Sequence, residues 1–403
     1  MVFECQVCNR DNLTEVLDLG MHPPSDAFLS EHNLKNETIA PLKILFCRDC
    51  LLVQLSHAVD PKLLFGEDYI YRSGYNKHLK NHFQLLAQKL INEFNLNENN
   101  FVVDIGANDG TLLEGYLPRK IKVLGVEPSS VAKTLEEKKI PFAKEFFNEQ
   151  TAKNIVQKYG KANAITATNV FAHVKDLKGF MAGINILLDD KGIFLQESHY
   201  LLDMIKDLQY QEIYLEHLRY YSLSSLINLF NIFGLEVFDA ERIDTHGGSI
   251  RTLVCKKGAF PIRDSIKIIL AQEDAIKLNS IKTFDEFKNK VHRQKTYLNA
   301  LLQKIKSENK SIVGLAAPAK GNTLLNFCKI NSEILDYLVD TSEFKIGKFS
   351  PGMHIEIVNE AKMMRDQPDY ILLLSWDIKD ILIPKLKSKG YNGKFILPTS
   401  EII

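Results

Sequence analysis

An excess of charge of either sign is missing from this sequence: its 403 residues carry 50 Lys+Arg against 50 Asp+Glu, a formal net charge of zero. Without a basic surface or an acidic tail, no nucleic-acid partner is expected. Long apolar runs are missing as well. No uninterrupted stretch of about 18 apolar residues occurs, so no membrane span is expected. Met1-Val2-Phe3-Glu4-Cys5 shows no basic segment leading into an apolar one, and a cytoplasmic location is the expectation. Cysteine is scarce, six in all, which excludes a disulfide scaffold for a chain of this length. No repeat of fixed period and no low-complexity tract occur, which sets aside solenoids and disordered tails.

What is present is apolar material for more than one core: 45% of the residues are hydrophobic, and the length suits two or three domains. The composition divides the chain into three units. Residues 1–60 hold four clustered cysteines, short apolar runs and the turn-rich Gly20-Met21-His22-Pro23-Pro24-Ser25-Asp26, which suits a small metal-stapled module. Residues 61–255 open on a Tyr-rich connecting stretch (61–84). Strand-like runs at 101–105, 123–126, 164–167 and 192–195 then alternate with helical patterns from Ser129, Glu149 and Lys175. That rhythm predicts a mainly parallel sheet with helices on both faces. Residues 256–403 begin with a charged helical segment (262–309) and continue with strands at 311–316, 335–340, 370–374 and 394–397 and a helix at 377–388, a second, smaller α/β domain. Three self-sufficient units make a monomer the expected state.

Cys5-x-x-Cys8 and Cys47-x-x-Cys50 place four thiols in two turn-forming pairs. That donor set suits tetrahedral zinc, with an iron–sulfur centre or reduced thiols as the alternatives. Four protein ligands leave no open coordination position, so the metal would hold the fold. Cys255 and Cys328 stand alone in apolar contexts and read as buried small hydrophobes.

The run Val103-Asp104-Ile105-Gly106-Ala107-Asn108-Asp109-Gly110 is a strand ending in a glycine-bearing turn, the place where open α/β sheets bind cofactors. Gly-x-Gly-x-x-Gly is absent, which argues against a dinucleotide oxidoreductase. The next strand ends Gly125-Val126-Glu127-Pro128, an acid about twenty residues on that can accept both ribose hydroxyls of an adenosine. An ordinary βα turn with a surface glutamate is the bland alternative. Together these motifs resemble those of class I S-adenosylmethionine (SAM) methyltransferases. The resemblance implies cofactor contacts from Asp104, Gly106, Asn108, Asp109, Gly110, Glu127, Pro128 and Asn169.

Further on, His, Tyr and Glu concentrate in Asn169-Val170-Phe171-Ala172-His173, Glu197-Ser198-His199-Tyr200, Tyr214-Leu215-Glu216-His217 with Tyr220-Tyr221, and His246-Gly247-Gly248-Ser249-Ile250-Arg251. Lone histidines are more often structural, but imidazoles beside phenols and carboxylates can move protons and support an enolate. With the cysteine quartet and Ala319-Lys320-Gly321-Asn322, these segments resemble, over essentially the whole chain, the nucleotide-sugar C-methyltransferases acting on keto-deoxysugars. The C-3 methyltransferase of tetronitrose biosynthesis is one of that family.

The resemblance implies a zinc-binding module, a central Rossmann-like SAM domain and a smaller Rossmann-like carboxyl-terminal domain. It implies SAM and one structural zinc as cofactors and a nucleotide-linked sugar as substrate. His217 would be the base, with Glu216, Tyr214 and His173 beside it. Many relatives read Tyr-His-Glu-His where this chain has Leu215 in place of the first histidine. Asp68-Tyr69-Ile70-Tyr71-Arg72-Ser73-Gly74-Tyr75 also matches the family, pointing to Tyr71 and Tyr75 as substrate contacts, with an aromatic linker as the alternative. His246 and Arg251 are expected at the sugar. Gly314-Leu315-Ala316-Ala317-Pro318-Ala319-Lys320-Gly321 is not a Walker A loop. Lys320 at a helix start is expected to meet a diphosphate, or else to be a solvated lysine. Methylation at oxygen or nitrogen, or a silent SAM- or sugar-binding role, are the competing readings.

Overall fold

The computed structural model describes residues 4–60, 64, 72–75 and 77–403, with the side chain of Tyr75 outside the description. The described residues form three sheets. The first is antiparallel, with β1 (Leu13–His22), β2 (Ala40–Cys47) and β3 (Val53–Leu55) in order. Its fourth strand, β9 (Arg219–Tyr220), comes from far along the chain and pairs Val53 with Tyr220 and Gln54 with Arg219. The first unit is therefore not self-sufficient, contrary to expectation: a sheet of short strands gains hydrogen bonds and burial by borrowing an edge. The turn expected from Gly20 is also displaced. β1 continues to His22, and Gly20, at φ +88°, sits in an irregularity where Asp18 Oδ1 accepts its N–H at 2.9 Å.

The second sheet has seven strands in the order β10-β11-β8-β7-β4-β5-β6. These are β4 (Phe101–Ile105), β5 (Lys122–Val126), β6 (Phe142–Ala143), β7 (Ala162–Thr168), β8 (Leu188–His199), β10 (Leu235–Ile243) and β11 (Ser249–Lys256). All run parallel except β11, which is antiparallel to both neighbours. Alternate residues face opposite layers, as the pleat dictates. Val102, Ala164, Ile193 and Leu195 pack with Phe83, Leu86 and Leu90 of the helix Lys77–Glu93. Phe101, Val103, Ile165 and Phe194 pack with the helices Glu149–Tyr159 and Leu177–Leu187 on the other face. From β4 the chain runs outward to β6, then returns to place β7 on β4's other side. The crevice between the carboxyl ends of β4 and β7 is thus the switch point where such sheets bind ligands.

The third sheet is parallel, ordered β14-β13-β12-β15-β16 with β12 (Ile312–Leu315), β13 (Leu338–Val339), β14 (Ile357–Val358), β15 (Tyr370–Leu373) and β16 (Lys394–Ile396). Its switch point lies between β12 and β15. β13 is shorter than the expected 335–340. Leu335 N–H closes a turn on Asn331 O, and the Asp336 carboxylate takes Lys306 at 3.0 Å and Ile312 N–H. The long helix Ile281–Ser307 carries the charged segment, its buried stripe of Phe284, Phe287, Val291, Leu298 and Leu302 spaced for one face. No helix among the described residues is long and apolar enough to cross a membrane.

Candidate active site

At the zinc module, Asn9 N–H returns to Cys5 O at 3.0 Å and Leu51 N–H to Cys47 O at 2.9 Å, both residues at positive φ (+57° and +65°). Each Cys-x-x-Cys pair thus closes the same tight turn. Cys5 and Cys50 sulfurs lie 3.4 Å apart and those of Cys8 and Cys47 3.6 Å, and all four sit within 4.8 Å of one another. Tetrahedral zinc with bonds near 2.3 Å needs sulfurs about 3.8 Å apart, so the donors fit the metal.

The cofactor loop follows β4. Gly106 has φ +69°, and a Cβ there would lie 2.3 Å from Val170 Cγ2; Gly110, at φ +76°, would meet Leu135 at 2.6 Å. Glu127 is 5% exposed and fully oriented: its Oε2 accepts Asn108 N–H and its Oε1 accepts Ser129 N–H, each at 2.9 Å. Each oxygen keeps a second lone pair, enough for a ribose diol. Asn169 follows β7 at φ +56° with its side-chain oxygen buried and unpartnered. An oriented acid and an orphaned acceptor on one crevice fit SAM. Gly106→Ala is expected to weaken SAM binding about tenfold or more in calorimetric titration, since the left-handed backbone alone costs a β-carbon about 1–2 kcal/mol. Unchanged affinity would count against this loop.

Other expected cofactor residues have different partners. Asp104 is buried beneath the loop, outside the cavity lining, and accepts the Thr166 hydroxyl at 2.6 Å. Burial outweighs that bond and pushes its pKa up to about 7. Asn108 Oδ1 accepts Ser73 N–H at 3.0 Å, and Asp109 Oδ2 accepts Gly74 N–H at 2.7 Å. These two side chains fasten the 73–74 turn to the cofactor loop. Asn108, Gly106, Glu127, Pro128 and Asn169 line the cavity; Asp109 and Gly110 do not.

The crevice opens into a cavity of about 690 Å³, a size suited to a small-molecule site. It carries His173, His199, His217, His246, Glu212, Tyr214 and Glu216 along with the cofactor loop, Asp26 from the first unit, and Lys320, Lys345 and Asp377 from the third. His217 Nδ1 lies 3.1 Å from Glu212 main-chain oxygen, so that nitrogen carries the hydrogen and Nε2 accepts the Tyr214 hydroxyl at 2.9 Å. Burial, then the neighbouring His173 and His199, hold the His217 pKa well below the usual imidazole value. His173 donates from Nδ1 to Glu216 O at 2.5 Å, and burial brings its pKa to about 4. Glu216 Oε1 accepts Ser25 N–H at 2.8 Å and Asp26 N–H at 3.3 Å, while Oε2 is buried without a partner. Burial and then Asp26 raise its pKa to about 8.

His246 reaches the cavity from a turn where it adopts φ +53°. Lys320, in the first turn of the helix Ala319–Cys328, stands 2.8 Å from Asp377 and 3.5 Å from Glu212 rather than in solvent. Arg251 is not brought into the cavity: from β11 it binds Glu197 and Glu241 inside the sheet. Tyr71 lies outside the described residues, as does the Tyr75 side chain. Glu212 joins the cluster although its surroundings, Tyr210-Gln211-Glu212-Ile213, carry no motif. Only the fold, which sets the Tyr210–Glu212 turn between His199 and Lys320, reveals it.

Three family descriptions match successive parts of the chain: a zinc binding domain over residues 5–65, a methyltransferase domain over 75–240, and a C-methyltransferase C-terminal domain over 244–399. The chain is 30% identical over 402 residues to the C-methyltransferase NovU of Streptomyces niveus, covering 99% of this chain and 96% of that one. Among solved structures, a SAM-dependent methyltransferase from Clostridium acetobutylicum is similar at 14% identity, covering 44% of this chain and 91% of that one, with a TM-score of 0.34. Magnesium protoporphyrin IX methyltransferase from Synechocystis is similar at 12% identity over 49% of this chain and 92% of that one, with a TM-score of 0.35.

Proposed function

The chain belongs to the C-methyltransferase family and is a SAM-dependent methyltransferase, and from that premise we propose that it methylates the carbon beside the ketone of a nucleotide-linked keto-deoxysugar. The observation that carries this reading is a shared cavity: the cofactor loop, a histidine–phenol pair and the lysine-bearing edge of the third sheet all face it. SAM, when bound, supplies a methyl group on a sulfonium that needs no further activation.

His217 is the base. It is neutral, its tautomer is fixed by Glu212 main-chain oxygen, and its Nε2 lone pair is directed at Tyr214. Turning the Tyr214 hydroxyl onto the ketone oxygen frees Nε2 for the α-proton and gives the developing enolate a donor. His173 holds the main chain at Glu216, and Glu216 in turn fastens the 25–26 turn of the first unit, whose Asp26 lines the cavity. Our reading puts the diphosphate at the β12/β15 switch, where Ala319 and Lys320, at the start of the helix Ala319–Cys328, line the cavity. Lys320 exchanges its Asp377 and Glu212 contacts for phosphate there.

A panel of nucleoside-diphosphate keto-sugars carrying deuterium beside the ketone tests the reading. Turnover with SAM is expected to give a product with one more methyl on that carbon and no deuterium. A methylated product that keeps the deuterium would assign the reaction to oxygen or nitrogen instead.

A further inference from the structure

Two buried side chains of the cavity, those of Glu212 and His199, have no chemical role in the steps above. Glu212 is 5% exposed, and among the described residues its carboxylate meets only cations and imidazoles: His199 Nε2 at 3.3 Å from Oε2 and Lys320 Nζ at 3.5 Å from Oε1. Burial would raise its pKa, but His199, Lys320 and His246 outweigh burial and bring it down to about 2. Glu212 is thus a standing carboxylate inside the protein, and such a charge requires a partner of opposite sign. Lys320 is shared with Asp377 at 2.8 Å. The ring of His199, at the end of β8, is the nearer partner.

His199 is 8% exposed, and its Nε2 is sealed from solvent, at ion-pair distance from Glu212 with no well-aligned hydrogen bond. The ring lines the cavity, and Nδ1 has no protein partner among the described residues. Its centroid is 4.8 Å from that of His217 and 5.7 Å from that of His246. Two imidazoles therefore share one space with opposite surroundings. His217 touches a main-chain carbonyl and a phenol, whereas His199 touches a carboxylate. Environments that separate two titratable groups in this way assign one as base and the other as acid.

Resting on the keto-sugar reading above, we propose that His199, its ring held by Glu212, is a catalytic residue whose Nδ1–H hydrogen-bonds the ketone oxygen while His217 takes the neighbouring proton. The C–H pair becomes the C=C bond, and the carbonyl π pair moves onto oxygen, where Nδ1–H and the Tyr214 hydroxyl hold it. As the new C–C bond forms at the methyl, the C–S pair stays on sulfur and the oxygen pair re-forms the carbonyl. His199 keeps its proton, and the proton on His217 leaves to water. Glu212 acts as a positioning residue that fixes the tilt of the ring.

The test uses the full-length His217→Asn protein, which holds the ketone unreacted. The probe is a thymidine-diphosphate-linked 4-keto-6-deoxyhexose with ¹³C at the carbonyl. Binding is expected to move the carbonyl resonance downfield. Adding Glu212→Gln or His199→Phe is expected to reduce that movement to the part that the Tyr214 hydroxyl supplies, while the probe stays bound. In the otherwise native protein, Glu212→Gln and His199→Gln are each expected to lower kcat roughly 10²–10³-fold with SAM affinity unchanged, the size found for removing one oxyanion donor. A downfield shift undiminished by either addition overturns the assignment of His199. Failure of the native protein to methylate any keto-sugar instead rejects the parent reading, and this assignment with it.

Discussion

Replacing His217 with Asn is expected to cut methyl transfer by about 10²–10⁴-fold, the range for losing a general base, and to stop exchange of the α-proton with solvent. SAM affinity should be untouched, because His217 sits beyond the cofactor loop against Tyr214 and Glu212. Exchange followed by NMR in deuterated buffer, beside methyl transfer from labelled SAM, reads both effects. Exchange that persists in the variant would remove His217 from the role of base. The native enzyme adds a pH signature. Burial holds His217 well below the usual imidazole pKa, so it stays unprotonated as pH falls from 8 to 6. The profile of kcat/KM is therefore expected to show no acid limb near 6.5 from this group.

Cys47→Ser carries the other large expectation. It leaves three thiols for a metal that needs four, and structural zinc sites contribute about 10–16 kcal/mol in small domains, an upper bound for a module that also packs against neighbours. The variant is expected to bind less than one zinc per chain by elemental analysis, to melt several degrees lower and to lose most methyl transfer. The route from metal to chemistry is short. β2 ends at Cys47 and pairs with β3, and β3 pairs with β9; Leu55 N–H also binds Leu218 O at 2.9 Å, one residue from His217. Asn228 Nδ2 reaches Cys50 O at 3.2 Å from the neighbouring helix. A zinc-free protein with native melting and activity would refute a structural role for the metal.

The parts of this molecule that were legible in sequence are those set by local chemistry. β4, β5, β7 and β8 each carry a short apolar run, at 101–103, 123–124, 164–165 and 193–195, and burial on both faces of a parallel sheet favours that pattern. The cysteine pairs announce themselves because a tight turn and two thiols fit within four residues. β9 could not be read: two residues have no period, and Arg219–Tyr220 is a strand only because β3 lies beside it. The site divides along the same line. His217 and Glu216 stand in a motif, whereas Glu212 gains its place from His199 and Lys320, which lie on separate sheets' edges. Arg251 shows the converse, a residue in a marked motif whose charge the sheet itself consumes through Glu197 and Glu241.

The borrowed strand has a consequence for how the chain is made. Synthesis delivers the cysteines first, and domains emerging from a ribosome generally fold as they appear. Here the first sheet stays open along β3 until Arg219 and Tyr220 have been translated, and Glu216 must also arrive before Ser25 and Asp26 find their acceptor. The amino-terminal segment therefore waits, edge exposed, for most of the central unit. Early metal capture would hold the two knuckles together during that interval, making zinc supply a condition for the yield of newborn protein.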